Sequence, residues 1–381
     1  MRFKQWTASF VFLAAAVWGG EASVFDATIP VLDMDDYFHP ATHGRFVQKL
    51  HSALHEVGFF AVVNTGVDVA ILDAAYEKAK EFFQLPFDQK VNSFDLSTNC
   101  QRGYVPTESP KGRDAWDCKE FFHVGRELTL EQQKRLGYWE NIWPEEMSLK
   151  EPLCQLFDAL GTYMVPLQEA MAEAIGEEKD LFCEMTKEGD VLLRAIHYPA
   201  NPPENQIWAG EHTDIDLFTI LPRATADGLE LLNKEGNWIS IKVPENAFIV
   251  NGGDMLENIT NGEFHSGLHR VRALEKDVER YSMVLFVHPR RDDRLDPLPA
   301  CIERTGGVKR YANATRIELL EERLVDLGLA SEEMMRELAN SGLMERLIAV
   351  GRASPKAMKK LVEAGLASPA VLEELQKISE E

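Results

Sequence analysis

Gly210-Glu-His-Thr-Asp-Ile-Asp-Leu-Phe-Thr-Ile-Leu221 sets His212 and Asp214 two positions apart at the head of a short alternating run, and His269 follows fifty-seven positions after His212. Successive side chains of an extended chain point to opposite faces, so His212 and Asp214 share a face. Two imidazoles and one carboxylate are the donors that occupy one face of an Fe(II) ion and leave the other open. Arg280-Tyr281-Ser282 comes next, and the same period puts Arg280 and Ser282 on a common face. A guanidinium fork pairs with a carboxylate through two parallel hydrogen bonds, and a hydroxyl two residues on shares the load. The pattern predicts an organic acid beside a metal.

Outward from these residues, two alternating runs flank the turn-prone Glu275-Lys276-Asp277. A hairpin there would make His269 and Arg280 cross-strand neighbours. From about 190 to 290, short alternating strands are separated by Pro, Asn, Gly and Asp, as a double-sheet jelly roll requires. The expected fold is mainly β with flanking helices: a double-stranded β-helix (jelly roll) core plus a C-terminal helical extension.

Further segments carry a resemblance. They are Gly228-Leu-Glu-Leu-Leu232, Trp238-Ile-Ser-Ile241, Val250-Asn-Gly-Gly-Asp-Met-Leu256 and Thr260-Asn-Gly-Glu-Phe-His-Ser-Gly-Leu-His-Arg-Val271, preceded by Ile29-Pro-Val-Leu-Asp33, Gly58-Phe-Phe-Ala-Val-Val-Asn-Thr-Gly-Val67, Glu81-Phe-Phe-Gln-Leu-Pro86 and Arg102-Gly-Tyr104. In this order, over residues 28 to 312, the chain resembles the isopenicillin N synthase-like branch of the Fe(II)- and 2-oxoglutarate-dependent dioxygenases. The resemblance implies that His212, Asp214 and His269 bind Fe(II). It likewise implies that Arg280 and Ser282 hold the distal carboxylate of 2-oxoglutarate, and that Tyr198, in Arg194-Ala-Ile-His-Tyr-Pro199, contacts the same cosubstrate. The implied reaction uses O2 and couples oxidative decarboxylation of 2-oxoglutarate to hydroxylation, desaturation or cyclisation of a small organic substrate. Two alternatives stand beside it: an oxidase of the isopenicillin N synthase type that needs no 2-oxoglutarate, and a non-catalytic metal-binding scaffold acting through its C-terminal repeat. Arg102, Tyr104, Glu120 and Phe121 are placed near the pocket mouth by analogy. The chain departs from the family at Asn64-Thr65-Gly66, where Asn-His-Gly is common, and at His197-Tyr198, where two tyrosines are. Both departures bear on the substrate pocket.

Taken singly, Arg280 also fits a solvated charge at a strand start, and Tyr198 plain core packing. His39, His43, His51, His55, His123 and His288 read as ordinary core or surface residues. His265, four residues before His269 and hence on the same strand face, competes for the third ligand position.

The 381 residues suffice for one decorated barrel with a sizeable core. A net charge of −22 and a pI near 4.9 argue against nucleic acid and anionic membrane surfaces as partners, which require a basic footprint. Cys100, Cys118, Cys154, Cys183 and Cys301 are odd in number and lack metal-binding pairs, so they are expected as free thiols. Met1-Arg-Phe-Lys4 is basic, residues 10–18 are apolar, and Gly20-Glu-Ala22 offers small residues, which together read as a signal peptide over residues 1–22. That predicts a periplasmic or secretory location. The availability of Fe(II) and 2-oxoglutarate and the odd cysteine count favour cytoplasm instead.

Phe46, Val47, Leu50, Leu54 and Val57 share one helical face over residues 44–57; further helices are expected over 69–85 and over 151–176, the last kinked at Pro166. Past Arg310 a repeat of period 23 appears: Gly328-Leu-Ala-Ser331 recurs as Gly351-Arg-Ala-Ser354, with Met335/Met358, Leu338/Leu361, Gly342/Gly365 and Leu343/Leu366 in register. Ser331, Ser354 and Ser368 are good N-caps, and Pro355 and Pro369 sit at first helical positions. Two copies fall short of the roughly three units of an independent solenoid, so docking on the barrel, a protein partner or self-association is expected of it. The division of the chain is then 1–22 signal segment, 28–125 N-terminal dioxygenase region, 126–185 helical linker, 186–312 catalytic jelly roll and 313–381 helical extension.

Overall fold

Period-two alternation persists through a computed structural model that describes residues 29–108, 117–145, 147–204 and 206–380. The segment read as an export signal, 1–22, lies outside the described residues. Twelve strands form among the described residues: β1 (Val31–Asp33), β2 (Phe59–Val63), β3 (Gly103–Val105), β4 (Glu120–Val124), β5 (Leu192–Tyr198), β6 (Ala209–His212), β7 (Phe218–Leu221), β8 (Leu229–Leu232), β9 (Trp238–Ser240), β10 (Phe248–Gly252), β11 (His269–Val271) and β12 (Arg280–Val287). Eight make one sheet in the order β1-β2-β10-β7-β12-β5-β4-β3, and four make the other, β6-β11-β8-β9.

Strand β12 is bonded along both edges, to β5 and to β7, and both of its faces are covered. Tyr281, Met283, Leu285 and Val287 join the core shared with the helices, whereas Val284 joins Phe59, Ala61, Phe121, Ile196 and Tyr198 between the sheets. Arg280 and Ser282 have the parity of Val284 and so face the barrel interior. The same division runs through β2, where Phe60 and Val62 face the helices and Phe59 and Ala61 the interior. The outer core is completed by helices His43–Glu56, Val69–Phe83 and Lys150–Ala174, close to their expected bounds, and the last runs on through Pro166.

The expected hairpin between His269 and Arg280 does not form. Its turn does: Asp277 adopts φ 59° and exchanges two hydrogen bonds with Asn201. The flanking strands nevertheless enter different sheets. Both edges of β11 are taken by β6 and β8, and both edges of β12 by β5 and β7, so neither has an edge left for the other. His269 therefore sits opposite His212, and Arg280 opposite Tyr198.

The C-terminal extension is a stack of short helices opened as the sequence suggests. Thr315 and Glu318 form a capping box on helix Arg316–Leu327, Ser331 and Ser354 cap the helices that follow them, and Pro355 and Pro369 begin theirs. The stack docks on the barrel: Arg316 reaches buried Asp190 at 3.2 Å, and the Ser331 N–H donates to Asn99 Oδ1 at 3.1 Å. The five cysteines are free thiols.

Within the stack, burial, reinforced by a hydrogen bond to and the charge of Glu337 on the next helix, pushes the Glu321 carboxyl up to about 8. The folded chain thus keeps a proton that the unfolded chain releases near pH ~4.3. Stability is then undiminished by this group below that pH, and falls by up to ~1.4 kcal/mol per pH unit as pH rises from there to about 8. Melting curves at pH 5 and pH 8.5 should show a smaller loss of Tm in Glu321→Gln than in wild type.

Candidate metal centre and active site

Because His212 and His269 are register partners, their rings lie 4.3 Å apart, centroid to centroid. Asp214, just beyond the end of β6, brings Oδ1 to 3.8 Å from His212 Nε2 and 3.9 Å from His269 Nε2. One ligand atom from each residue lies within 4.8 Å of the others, the one such group found among the described residues. The Nδ1 atoms of His212 and His269 meet the carbonyls of Gly210 and Gly267 at 2.7 and 3.0 Å. A carbonyl only accepts, so each Nδ1 carries the proton and each Nε2 offers its lone pair to the shared space.

Asp214 Oδ2 accepts from Thr219 Oγ1 at 2.6 Å and from Asn251 Nδ2 at 3.0 Å, which leaves Oδ1 toward the imidazoles. Burial, with the neighbouring His269, holds His212 below its ordinary value and favours the neutral ring. Burial would raise the Asp214 carboxyl, but the adjoining imidazoles and the Asn251 and Thr219 hydrogen bonds outweigh it and hold it below the usual carboxylate range. Two imidazole Nε2 atoms and a carboxylate oxygen converging on one space are the donor set that a divalent ion such as Fe(II) takes, so the residues present fit Fe(II). Behind them Asp216 is buried and raised well above the usual carboxylate range by burial and by the charge of Asp214. Gly253 permits the close packing here, since a Cβ at that position would meet Asp216 Oδ1 at 2.0 Å. His265 is not part of the group: its Nδ1 faces Glu257 at 3.5 Å and its side chain is 42% exposed.

Arg280 and Ser282 line a second cavity with Leu221, Ile241, Ala247 and Ile249. Arg280 is buried, its Nε donates to the Ala226 carbonyl at 3.0 Å, and its guanidinium lies 5.0 Å from the centre of the Tyr198 ring. Its Nη1 is buried with no hydrogen-bond partner. An unpaired buried cationic donor costs several kcal/mol less once an anion reaches it, and the fork geometry suits a carboxylate.

Beside the triad lies a chamber walled by Phe121, Phe286, Leu320, Leu324, Leu327 and Leu329. Buried charges line it in compensated pairs. Lys119 reaches Glu108 at 2.6 Å and Asp117 at 2.8 Å, while Arg194 bonds Glu108 at 2.8 Å and stacks over Phe121 at 4.0 Å. Burial and the Arg194 charge keep His123 well below its ordinary value, and its Nε2 accepts from Arg194 Nε at 2.6 Å. His123 and His288 are therefore chamber residues, although neither belongs to the triad.

Of the four residues placed at the mouth by analogy, Phe121 alone lines the chamber. Arg102 is tied to Asp190 at 2.7 Å, and the Tyr104 hydroxyl donates to Glu120 at 2.6 Å. His197 bonds Glu120 at 2.8 Å and stacks on Tyr281, whose side chain faces the helices, so that departure from the family pattern does not touch the chamber. Sequence reasoning missed Lys119, Arg194 and Arg323. Their one signal is burial of charge, which no local pattern displays.

Two family models match the chain: residues 29–146 fit the one described as non-haem dioxygenase in morphine synthesis N-terminal, and residues 189–289 the 2OG-Fe(II) oxygenase superfamily. The chain is 30% identical over 280 residues, 72% of each protein, to oxoglutarate-dependent flavonoid 7-O-demethylase 1 of Ocimum basilicum. It is 28% identical over 297 residues, 72% of this chain and 91% of the relative, to 2-oxoglutarate-dependent dioxygenase tropC of Talaromyces stipitatus. A crystal structure of a protein assigned to the 2OG-Fe(II) oxygenase family from Caulobacter crescentus superposes with a TM-score of 0.70 at 33% identity, over 78% of this chain and 98% of that one. Sequence similarity on this scale, together with a shared jelly-roll core, makes the chain a member of the 2OG-Fe(II) oxygenase superfamily and a 2-oxoglutarate-dependent dioxygenase, an oxidoreductase that works with Fe(II), 2-oxoglutarate and O2.

Proposed function

We propose that His212, Asp214 and His269 are the iron ligands, that Arg280, Ser282 and Tyr198 receive the distal carboxylate of 2-oxoglutarate, and that the substrate is a small organic molecule seated in the chamber beside the triad. In this reading the enzyme stands with the isopenicillin N synthase-like branch. The observation that carries it is the buried Arg280 Nη1, which lacks a partner on the interior face of β12. Bound iron supplies the oxidising chemistry by which decarboxylation of 2-oxoglutarate to succinate and CO2 drives oxidation of a substrate carbon. The chain's own residues do the rest: Thr219 and Asn251 aim Asp214, the Gly210 and Gly267 carbonyls fix the imidazole tautomers, and the leucine wall excludes water. Iron-loaded protein screened against a metabolite library should form succinate in step with one oxidised product. Failure of every substrate to stimulate 2-oxoglutarate consumption, with iron bound, would sink the assignment.

A further inference from the structure

The Arg316–Leu327 helix buries Arg316, Glu321, Glu322, Arg323 and Asp326, an unusual density of charge for a helix that also presents Leu320 and Leu324 to the chamber. Arg323 reaches furthest. Its Nη1 donates to the carbonyl of Thr213 at 2.7 Å, and its Nη2 pairs with Asp254. The Thr213 hydroxyl donates to the same Asp254 oxygen at 3.1 Å, and the Asp254 backbone N–H donates to the Asp214 carbonyl at 2.8 Å. One guanidinium–carboxylate pair therefore grips Thr213 at both its carbonyl and its hydroxyl. Thr213 is the residue between the two ligands of β6 and its exit, and half of the grip belongs to the C-terminal extension.

We infer that Arg323 is a positioning residue for the metal centre: through Thr213, the docked extension sets the relative orientation of His212 and Asp214 and hence the affinity and geometry of the bound ion. The inference rests on those two residues being ligands. Lysine cannot replace the fork, because one ammonium group does not span the Thr213 carbonyl and the Asp254 carboxylate with fixed planar geometry.

Co(II) is a suitable probe in the full-length protein, since its visible absorption reports ligand geometry without turnover. Arg323→Lys and Arg323→Gln should bind Co(II) about 10- to 100-fold more weakly than wild type, the range for groups that orient ligands, and should shift the visible band. Arg336→Gln, at an exposed pair with Glu332 on the neighbouring helix, should leave both unchanged. Should Arg323→Gln fail to fold, Arg323→Lys carries the test alone. Wild-type affinity and an unaltered band in the folded Arg323 variants would overturn the inference while leaving the ligand assignment standing. Wild-type protein that binds no Co(II), or that binds it equally after Asp214→Ala, would overturn the assignment and the inference with it.

Discussion

Asp214→Ala is expected to abolish iron binding and turnover while the fold persists. Asp214 is the one anion among the three converging donors, and it is buried beside two imidazoles. A unit charge about 4 Å from another is worth ~4 kcal/mol at an effective dielectric of 20, roughly a thousandfold in affinity, and a dication at bonding distance gains more. Elemental analysis after dialysis should find the variant empty, with far-UV circular dichroism unchanged. His212→Ala and His269→Ala should behave alike, whereas His265→Ala should keep its iron. The reverse pattern between His265 and His269 would reassign the third ligand.

Arg280→Lys should raise the apparent KM for 2-oxoglutarate by about 10- to 100-fold, the equivalent of the ~1.5 to 3 kcal/mol carried by a charged hydrogen bond. The ammonium keeps the charge on the interior face of β12 but loses the second donor, so orientation suffers more than attraction. Iron affinity should barely move. Ser282→Ala removes a single neutral donor and should cost less. If wild type instead turned over its substrate without 2-oxoglutarate, and Arg280→Lys acted only through that substrate, Arg280 would be anchoring the substrate's own carboxylate, as in an oxidase of the isopenicillin N synthase kind.

The convergence of His212, Asp214 and His269 needed the pairing of β11 with β6 and the chain beyond His212, whereas the shared interior face of Arg280 and Ser282 followed from a local rule: residues two apart on a strand share a face. That rule says nothing about which sheet a strand joins. The turn at Glu275 to Asp277 was therefore read rightly and the hairpin around it wrongly, since the outcome depended on whether β11 and β12 had free edges. His123 and His288 could not be told from ordinary core histidines, because their place beside the triad comes from strands and loops far apart in sequence. Arg323 was the least visible. Its helix reads as an alternation of charge and leucine, and only docking turns the charged face inward. The N-caps at Ser331 and Ser354, by contrast, are short-range signals and appear where the sequence puts them.

Strand β12 behaves as a reading frame. Arg280 and Phe286 contribute to the two cavities from its even positions, while Met283, Leu285 and Val287 pack against helices from its odd ones. Loss or gain of a single residue between Ser282 and Phe286 would exchange the two sets downstream, turning a chamber wall into helix packing and the reverse. Replacement of Phe286, or a change of length outside the sheet, would alter the chamber wall and leave that frame intact. The stretch from Leu320 to Leu329, which walls the chamber without belonging to any strand, is free of that frame.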